Sequence, residues 1–358
     1  MGLYAREETN MKTVLVLFGG KSSEYEVSLL SASSVIRNIP REKYNIVTLG
    51  ITRDGKWRLF EGDTDKIESD DWIPGSLKAY INIDYGSKQV IVEDGRIIDV
   101  DVCFPVLHGR NGEDGTVAAL LTLAGIPFVG CDNLAGAVCM DKAVTNALAD
   151  YENVPQAKWL KIDKFEYADN GSAFLIDCFE KLGCPVFVKP ANTGSSVGVA
   201  KASDKKELEN AIKEAFKYDK KIVVEECIAG REVECAVLGS INPTVSVVGE
   251  IKPANEFYDY DAKYKNDSSV LLIPAPLDEK TSGEIRSLAV KIFKSLNCTG
   301  LSRVDFFVQS DGKVKFNEIN TLPGFTPISM YPKLFDECGI KYPDLIDRLL
   351  NSAIEREA

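Results

Sequence analysis

Residues 303–320 hold two alternating runs joined by Asp311-Gly312, and this hairpin restricts the fold more than any other stretch of the chain. Asp-Gly between strand-like segments is the strongest short-range signal for a two-residue hairpin loop, and counting outward from it sets the pairing. Ser310 then faces Lys313, Asp305 faces Glu318, and Arg303 faces Asn320. Side chains alternate with period 2, so the last four share one face while Val304, Phe306 and Val308 point into a core. Facing carboxylates repel in a bare sheet unless a cation lies between them. Asp, Glu and Asn oxygens without Cys or His suit Mg²⁺ rather than zinc, and enzymes commonly bind Mg²⁺ together with nucleotide phosphates. A solvated hairpin with paired charges is the plainer reading of the same residues.

At 358 residues the chain is long for one core and suggests two or three domains. Its 45% hydrophobic and 27% charged content is that of an ordinary soluble protein. A net charge of −12 argues against nucleic acid or an anionic membrane as the main partner. The nine cysteines are odd in number, scattered and without Cys-x-x-Cys spacing, which reads as reduced, mostly buried thiols of a cytoplasmic protein. No run approaches the ~20 apolar residues that span a bilayer. The polar stretch before the second methionine, Met11, carries no apolar signal-peptide core. Residues 1–11 are therefore set aside as a tail, an expression remnant or an upstream start.

Residues 13–18 are continuously apolar, end at Gly19-Gly20 and lead into a helical segment from Glu26. A buried strand turning through glycines into a helix is the opening of a doubly wound α/β domain. Further strands are expected at residues 44–51, 89–93 and 100–106, and a helix from Val117 carries Leu120, Leu121 and Ala124 before Gly125 closes it. Residues 12–133 make this first domain. Residues 134–230 read as a smaller α+β domain: a helix over residues 140–148, strands at 186–190 and 222–226, and a charged helix at 205–216. Residues 231–358 add strands at 232–238 and 245–251, a polar aromatic loop at 255–269, a helix at 279–296, the hairpin and a last helix from Tyr342.

Several segments carry chemistry. Lys189-Pro-Ala-Asn-Thr-Gly-Ser-Ser-Val-Gly198 follows a strand, and backbone N–H groups in such a loop can wrap phosphate oxygens while the lysine supplies a charge. A simple strand-to-strand turn is the alternative. His108-Gly-Arg-Asn-Gly-Glu-Asp-Gly115 places the only histidine at the carboxyl end of a buried strand, where ligands of α/β sheets collect, although a lone histidine is usually a satisfied structural residue. Glu26 occupies a similar strand-end position beyond the first glycine turn, where a helix-start acid is also favoured by the dipole. The loop at 255–269 displays three tyrosines and has the length of a lid or binding segment.

Together these segments, with Met140-Asp-Lys142, Phe257-Tyr-Asp-Tyr-Asp-Ala-Lys-Tyr264, Ser302-Arg-Val-Asp-Phe306 and Asn317-Glu-Ile-Asn-Thr-Leu-Pro-Gly-Phe-Thr326, resemble the D-alanine–D-alanine ligases of the ATP-grasp superfamily, in order and over nearly the whole chain. The resemblance implies a three-domain ATP-grasp architecture, α/β followed by α+β, with ATP between the central and C-terminal domains. It implies that Lys142 and Lys189 reach the nucleotide phosphates, that Glu225 and Ile228 border the adenine, that Glu232 meets the ribose, and that Ser196, Glu226 and Lys263 also belong to the ATP site. Asp305, Glu318 and Asn320 would hold two Mg²⁺, with Mn²⁺ as a substitute. Glu26 would bind the ammonium of the first D-alanine with His108 nearby, and Ser195 and Tyr264 would link to Glu26. Arg303 and the Gly324 N–H would stabilise the oxyanion, and Ser329 would receive the carboxylate of the second D-alanine.

The implied function is ATP-dependent joining of two D-alanines through an acyl phosphate for peptidoglycan precursors, by a cytoplasmic enzyme that is a homodimer with small-molecule partners only. No residue presents itself as the general base for the amine; the Ser195–Tyr264 network and a phosphate oxygen are the candidates. Two positions depart from the family pattern: Ala118-Ala119 replaces a common Gln-Gly, and Glu226 stands where some relatives carry a lysine beside the adenine. D-Serine and D-lactate are the competing second substrates. An intact Lys263-Tyr264 speaks against lactate, and an apolar Met330 beside Ser329 leaves a serine hydroxyl without a partner. A nucleotide-binding paralogue without turnover is a third reading, opposed by the presence of every implied phosphate and metal ligand.

Overall fold

The computed structural model describes residues 11–252 and 270–356. Three sheets succeed one another along the chain. In the first, β1 (Lys12–Gly19) lies between β2 (Tyr44–Ile51) and β7 (Val102–Pro105), all parallel. Because β1 is buried on both faces, its residues divide by parity between two cores. Val14, Val16 and Phe18 meet α1 (Tyr25–Asn38), while Leu15 and Leu17 meet α3 (Thr116–Ala124). That is the doubly wound arrangement expected. It is three strands wide; β3 (Trp57–Phe60), β4 (Leu77–Ile81), β5 (Gln89–Val92) and β6 (Ile97–Asp99) extend it from β2 as an antiparallel meander. The alternating burial of β4 and β5 explains the change, since such strands cover only one face.

Trp72 anchors the α1 side of this sheet. It is fully buried, edge-on to Phe18 at 4.8 Å, with Nε1 donating to the Tyr25 hydroxyl at 3.1 Å. Trp72→Ala is expected to cost about 3–5 kcal/mol, read as a lower urea midpoint. An unchanged midpoint would contradict this packing.

The second sheet is antiparallel in the order β10-β9-β11-β8, built from β8 (Trp159–Asp163), β9 (Val186–Pro190), β10 (Ala200–Ala202) and β11 (Lys221–Glu226). It is covered by α6 (Lys164–Leu182) and α7 (Lys205–Ala215), whose Leu208, Ala211, Ile212 and Ala215 recur at helical spacing and are buried. The helix expected over residues 140–148 begins two residues later than its first residue, at Lys142. α4 (Asn133–Met140) stops at Asp141, which is extended, caps α5 (Lys142–Tyr151) and accepts from Ala143 N and Val144 N at 3.1 and 3.2 Å. An N-capping aspartate outcompetes helix continuation here, and Lys142 becomes the first residue of a new helix.

The third sheet has the order β14-β13-β12-β15-β16: β12 (Arg231–Gly239), β13 (Thr244–Lys252), β14 (Val270–Leu272), β15 (Gly300–Val308) and β16 (Val314–Asn320). α8 (Glu279–Ser295) packs on one face; α9 (Met330–Glu337) and α10 (Tyr342–Arg356) pack on the other. α10 reaches back to the first sheet, sharing a core with α1, and Arg356 donates to the carbonyls of Gly130 and Phe128 at 2.9 and 2.8 Å.

The hairpin pairs Asp305 with Glu318 and Arg303 with Asn320, but not by the expected route. Gln309 N donates to Lys313 O and Gly312 N to Gln309 O, so the loop has three residues with Gly312 at φ +82°. Ser310 does not face Lys313. Near the turn Phe306 pairs with Phe316, and a bulge that leaves Asn317 unpaired shifts the register by one before Glu318. Two one-residue offsets cancel. Val304, Phe306 and Val308 are buried as expected. Six of the nine cysteines are buried and all are free thiols. Among the described residues no helix is long and apolar enough to cross a membrane.

Candidate active site

A cleft of about 640 Å³ opens between the second and third sheets, bordered by Lys189, Ser196, Glu225, Glu226, Ile228 and Glu232 and closed at its inner end by Lys142, Asp305 and Glu318. β9 presents Lys189, whose Nζ donates to Glu225 Oε2 at 2.6 Å and to Asn317 Oδ1 at 3.4 Å. Burial opposes the lysine's charge, yet Glu225 and the carboxylates of Glu318 and Glu232 hold its pKa above the ordinary value. Lys142 Nζ donates to Thr193 O at 2.6 Å, and burial pulls its pKa down. Lys142 therefore gains from an anion beside it, whereas Lys189 already has one in Glu225. Glu226 borders the cleft, and one of its carboxylate oxygens accepts from Lys158 N, just before β8, at 2.9 Å.

The loop after β9 carries two consecutive non-glycine residues in the left-handed region, Ser195 at φ +47° and Ser196 at φ +59°. Strain of this kind clusters at ligand clamps. The Ser195 hydroxyl donates to a carboxylate oxygen of Glu24, not of Glu26. Glu24 is 5% exposed and lines a second cavity of about 60 Å³, whereas the Glu26 side chain is 54% exposed and ion-paired to Arg53 at 2.7 Å. This corrects the expectation for Glu26. Ser22 Oγ accepts the Glu24 N–H at 3.1 Å in a turn before the helix, and α1 begins at the buried Tyr25. One residue past that buried position, the helix sweep of about 100° per residue has carried Glu26 to solvent.

The small cavity gathers Glu24, His108, Glu113, Arg303, Asn320 and Gly324 from three parts of the chain, and touches Lys142 and Ser195 at its mouth. His108 Nδ1 lies 3.0 Å from the Leu322 carbonyl, which can only accept, so Nδ1 carries the proton and Nε2 accepts from Ser31 Oγ at 3.1 Å. Burial drives the imidazole pKa down to about 4, so it is neutral. Ser31 Oγ also accepts from Phe325 N at 3.2 Å. His108 thus ties the segment that carries Gly324 to α1. Glu113, which motif reading passed over, accepts from Gly109 N at 2.7 Å and is pushed up to about 8 by burial first and by Glu24 and Glu318. The clue lay in its own motif: glycines at 109, 112 and 115 let the chain curl back on itself.

Arg303 grips Asp305 with both prongs, Nε to Oδ1 at 2.8 Å and a terminal nitrogen to Oδ2 at 2.7 Å, and Asn320 Nδ2 donates to Asp305 Oδ2 at 3.1 Å. Among the described residues no three His, Cys, Asp or Glu side chains enclose a metal ion by themselves. Two carboxylates and an amide oxygen are nevertheless a fitting partial shell for Mg²⁺, which completes its octahedron with phosphate and water. Ser329 borders neither cavity, and its hydroxyl lies 2.8 Å from that of Thr326. Met330 borders neither as well: it is buried and packed where a side chain on Gly249 would stand. An apolar residue at a helix start satisfies core packing and pocket lining equally, which is why sequence could not separate them. Lys263, Tyr264 and the rest of the suspected lid lie outside the described residues.

Comparisons with known proteins agree along nearly all of the chain. The family described as "D-ala D-ala ligase N-terminus" matches residues 13–131, and "D-ala D-ala ligase C-terminus" matches residues 148–351. The D-alanine–D-alanine ligase of Caldicellulosiruptor bescii is 50% identical over 347 residues, covering 96% of this chain and 95% of its own. That of Acetivibrio thermocellus is 49% identical, covering 96% of each. Among solved structures, the VanG D-Ala:D-Ser ligase from Enterococcus faecalis has a TM-score of 0.88 at 41% identity, covering 96% of this chain and 99% of that one. The D-alanine-D-alanine ligase from Coxiella burnetii has a TM-score of 0.83 at 33% identity, covering 97% and 96%.

Proposed function

The chain belongs to the D-alanine–D-alanine ligase family of the ATP-grasp superfamily and is an ATP-dependent ligase that forms D-alanyl-D-alanine for peptidoglycan synthesis, and on that footing we propose how its residues divide the work. The observation that carries the proposal is the meeting of Glu24–Ser195 with Arg303 and Gly324 across one small cavity at the inner end of the nucleotide cleft. Glu24 receives the ammonium of the first D-alanine. The carboxylate of that D-alanine then faces the γ-phosphate held by Lys142, Lys189 and the 194–196 backbone, and its attack on phosphorus yields an acyl phosphate and ADP. The amine of the second D-alanine attacks the acyl carbon and phosphate leaves. Arg303 and Gly324 N–H face the oxygen on which charge develops.

Asp305, Glu318 and Asn320 would hold Mg²⁺, two ions with Mn²⁺ as a substitute, which neutralise triphosphate charge when bound. Glu225, Ile228 and Glu232 border adenine and ribose. We place the reaction in the cytoplasm, where ATP is supplied, with the chain as a homodimer.

An equimolar mixture of D-alanine, D-serine and D-lactate with ATP tests the second substrate. D-Alanyl-D-alanine is expected to dominate, as the names of the relatives at 46–50% identity suggest. D-Alanyl-D-serine is the second reading, favoured by the likeness to the VanG ligase, and its predominance in the product would overturn the first.

A further inference from the structure

The registers of β12, β15 and β16 set three carboxylates abreast. Glu234 pairs directly with Asp305, and Asp305 with Glu318, so all three share the face that bears the site. Arg303 lies beside the row. Its Nε is 3.0 Å from Glu234 Oε2 and 2.8 Å from Asp305 Oδ1. The side chains of Arg303, Glu234 and Asp305 are only 14, 7 and 11% exposed, so their charges act with little screening. Gly249, the β13 partner of Glu234, has no side chain, and Met330 fills that space, closing the outer flank of the glutamate with apolar atoms.

Asp305 therefore has two claimants. As a ligand of a divalent cation it must share the oxygens that now bind Arg303, and the guanidinium then faces a dication. With Asp305 as its sole anchor, the arginine would leave the place from which it faces the reacting carbonyl. Glu234 stands on β12, across β15 from the strand that bears Glu318 and Asn320, so it can keep the guanidinium while Asp305 turns to the ion. We propose that Glu234 is a positioning residue of the ligation, holding Arg303 in place and freeing Asp305 for the divalent cation. This rests on the roles given above to Arg303 and Asp305.

The test compares Glu234→Gln and Glu234→Asp with the wild-type protein. Three quantities are read: kcat and the KM for ATP from ADP release, Mn²⁺ binding in the presence of ADP by electron paramagnetic resonance, and the melting temperature. Glu234→Gln is expected to lower kcat about 10- to 100-fold with the KM for ATP, read at saturating Mg²⁺, within about twofold, because the arginine acts on developing charge rather than on nucleotide binding. It should also weaken Mn²⁺ binding by about fivefold or more, since Arg303 then belongs wholly to Asp305 and a buried anion is lost. Glu234→Asp keeps the charge one methylene further back and should recover part of both losses.

Wild-type kcat and wild-type Mn²⁺ affinity in Glu234→Gln would overturn the proposal, as would a fall in kcat with unchanged Mn²⁺ affinity. Should the glutamine variant fail to fold, Glu234→Asp decides: reduced kcat with weaker Mn²⁺ binding supports the proposal, and wild-type values sink it. A wild-type protein that makes no D-alanyl-D-alanine would refute the functional reading instead, while the Mn²⁺ titration still decides the part played by Glu234.

Discussion

Glu24→Gln is expected to lower kcat/KM for D-alanine by about 100-fold or more, whereas Glu26→Gln leaves it within about twofold, because a buried charge pair lost on one side costs far more than a solvated one. Glu24 is buried, accepts from Ser195 and lines the small cavity, so an ammonium entering there meets a carboxylate shielded from water. The backbone at Gly194 approaches so closely that a side chain there would lie 2.8 Å from Glu24 Oε2, which leaves the carboxylate little freedom. Glu26 stands in solvent with Arg53. ADP release titrated with D-alanine measures both variants, and equal losses would return the role to Glu26.

Arg303 separates charge from geometry. Arg303→Lys keeps one positive charge but loses the planar fork that binds Asp305 with two nitrogens, and should lower kcat about 10²–10³-fold while the protein stays folded. Arg303→Ala leaves Asp305 and Glu234 buried without their shared cation, at an expected cost of about 3–5 kcal/mol. Added Mg²⁺ should recover part of that loss in the alanine variant, because the ion supplies the missing charge between the carboxylates. Denaturant midpoints with and without Mg²⁺ check this; a lysine variant with wild-type kcat would remove Arg303 from the chemistry.

Where a pattern is periodic or a motif is short, the reading from sequence held. The buried β1 strand, the glycine closing α3 and the partners Asp305–Glu318 and Arg303–Asn320 were all legible, because apolar runs, strand alternation and turn chemistry act over a few residues. The hairpin also shows how a right pairing can rest on a wrong turn. Gly312 suits a two-residue loop and a three-residue loop with a left-handed glycine alike, and the bulge at Asn317 restored the register that the longer loop had displaced.

Glu24 and Glu26 look equivalent in a string of letters, and only the burial of Tyr25 says which of them turns inward. Asp141 reads as helical until its carboxylate is seen to cap the next helix. His108 stands out in the sequence as the only histidine, yet what it holds, the Leu322 carbonyl and Ser31, lies 214 and 77 residues away. The order of motifs carried the family and its chemistry, since each motif is a local answer to a local demand for phosphate, metal or a tight turn. Which side chains share a cavity, and which of two equivalent acids is buried, depend on the packing of α1, β15, β16 and α10 around a common core. Contacts between residues hundreds of positions apart form only once apolar burial has brought those elements together, and no local pattern encodes them.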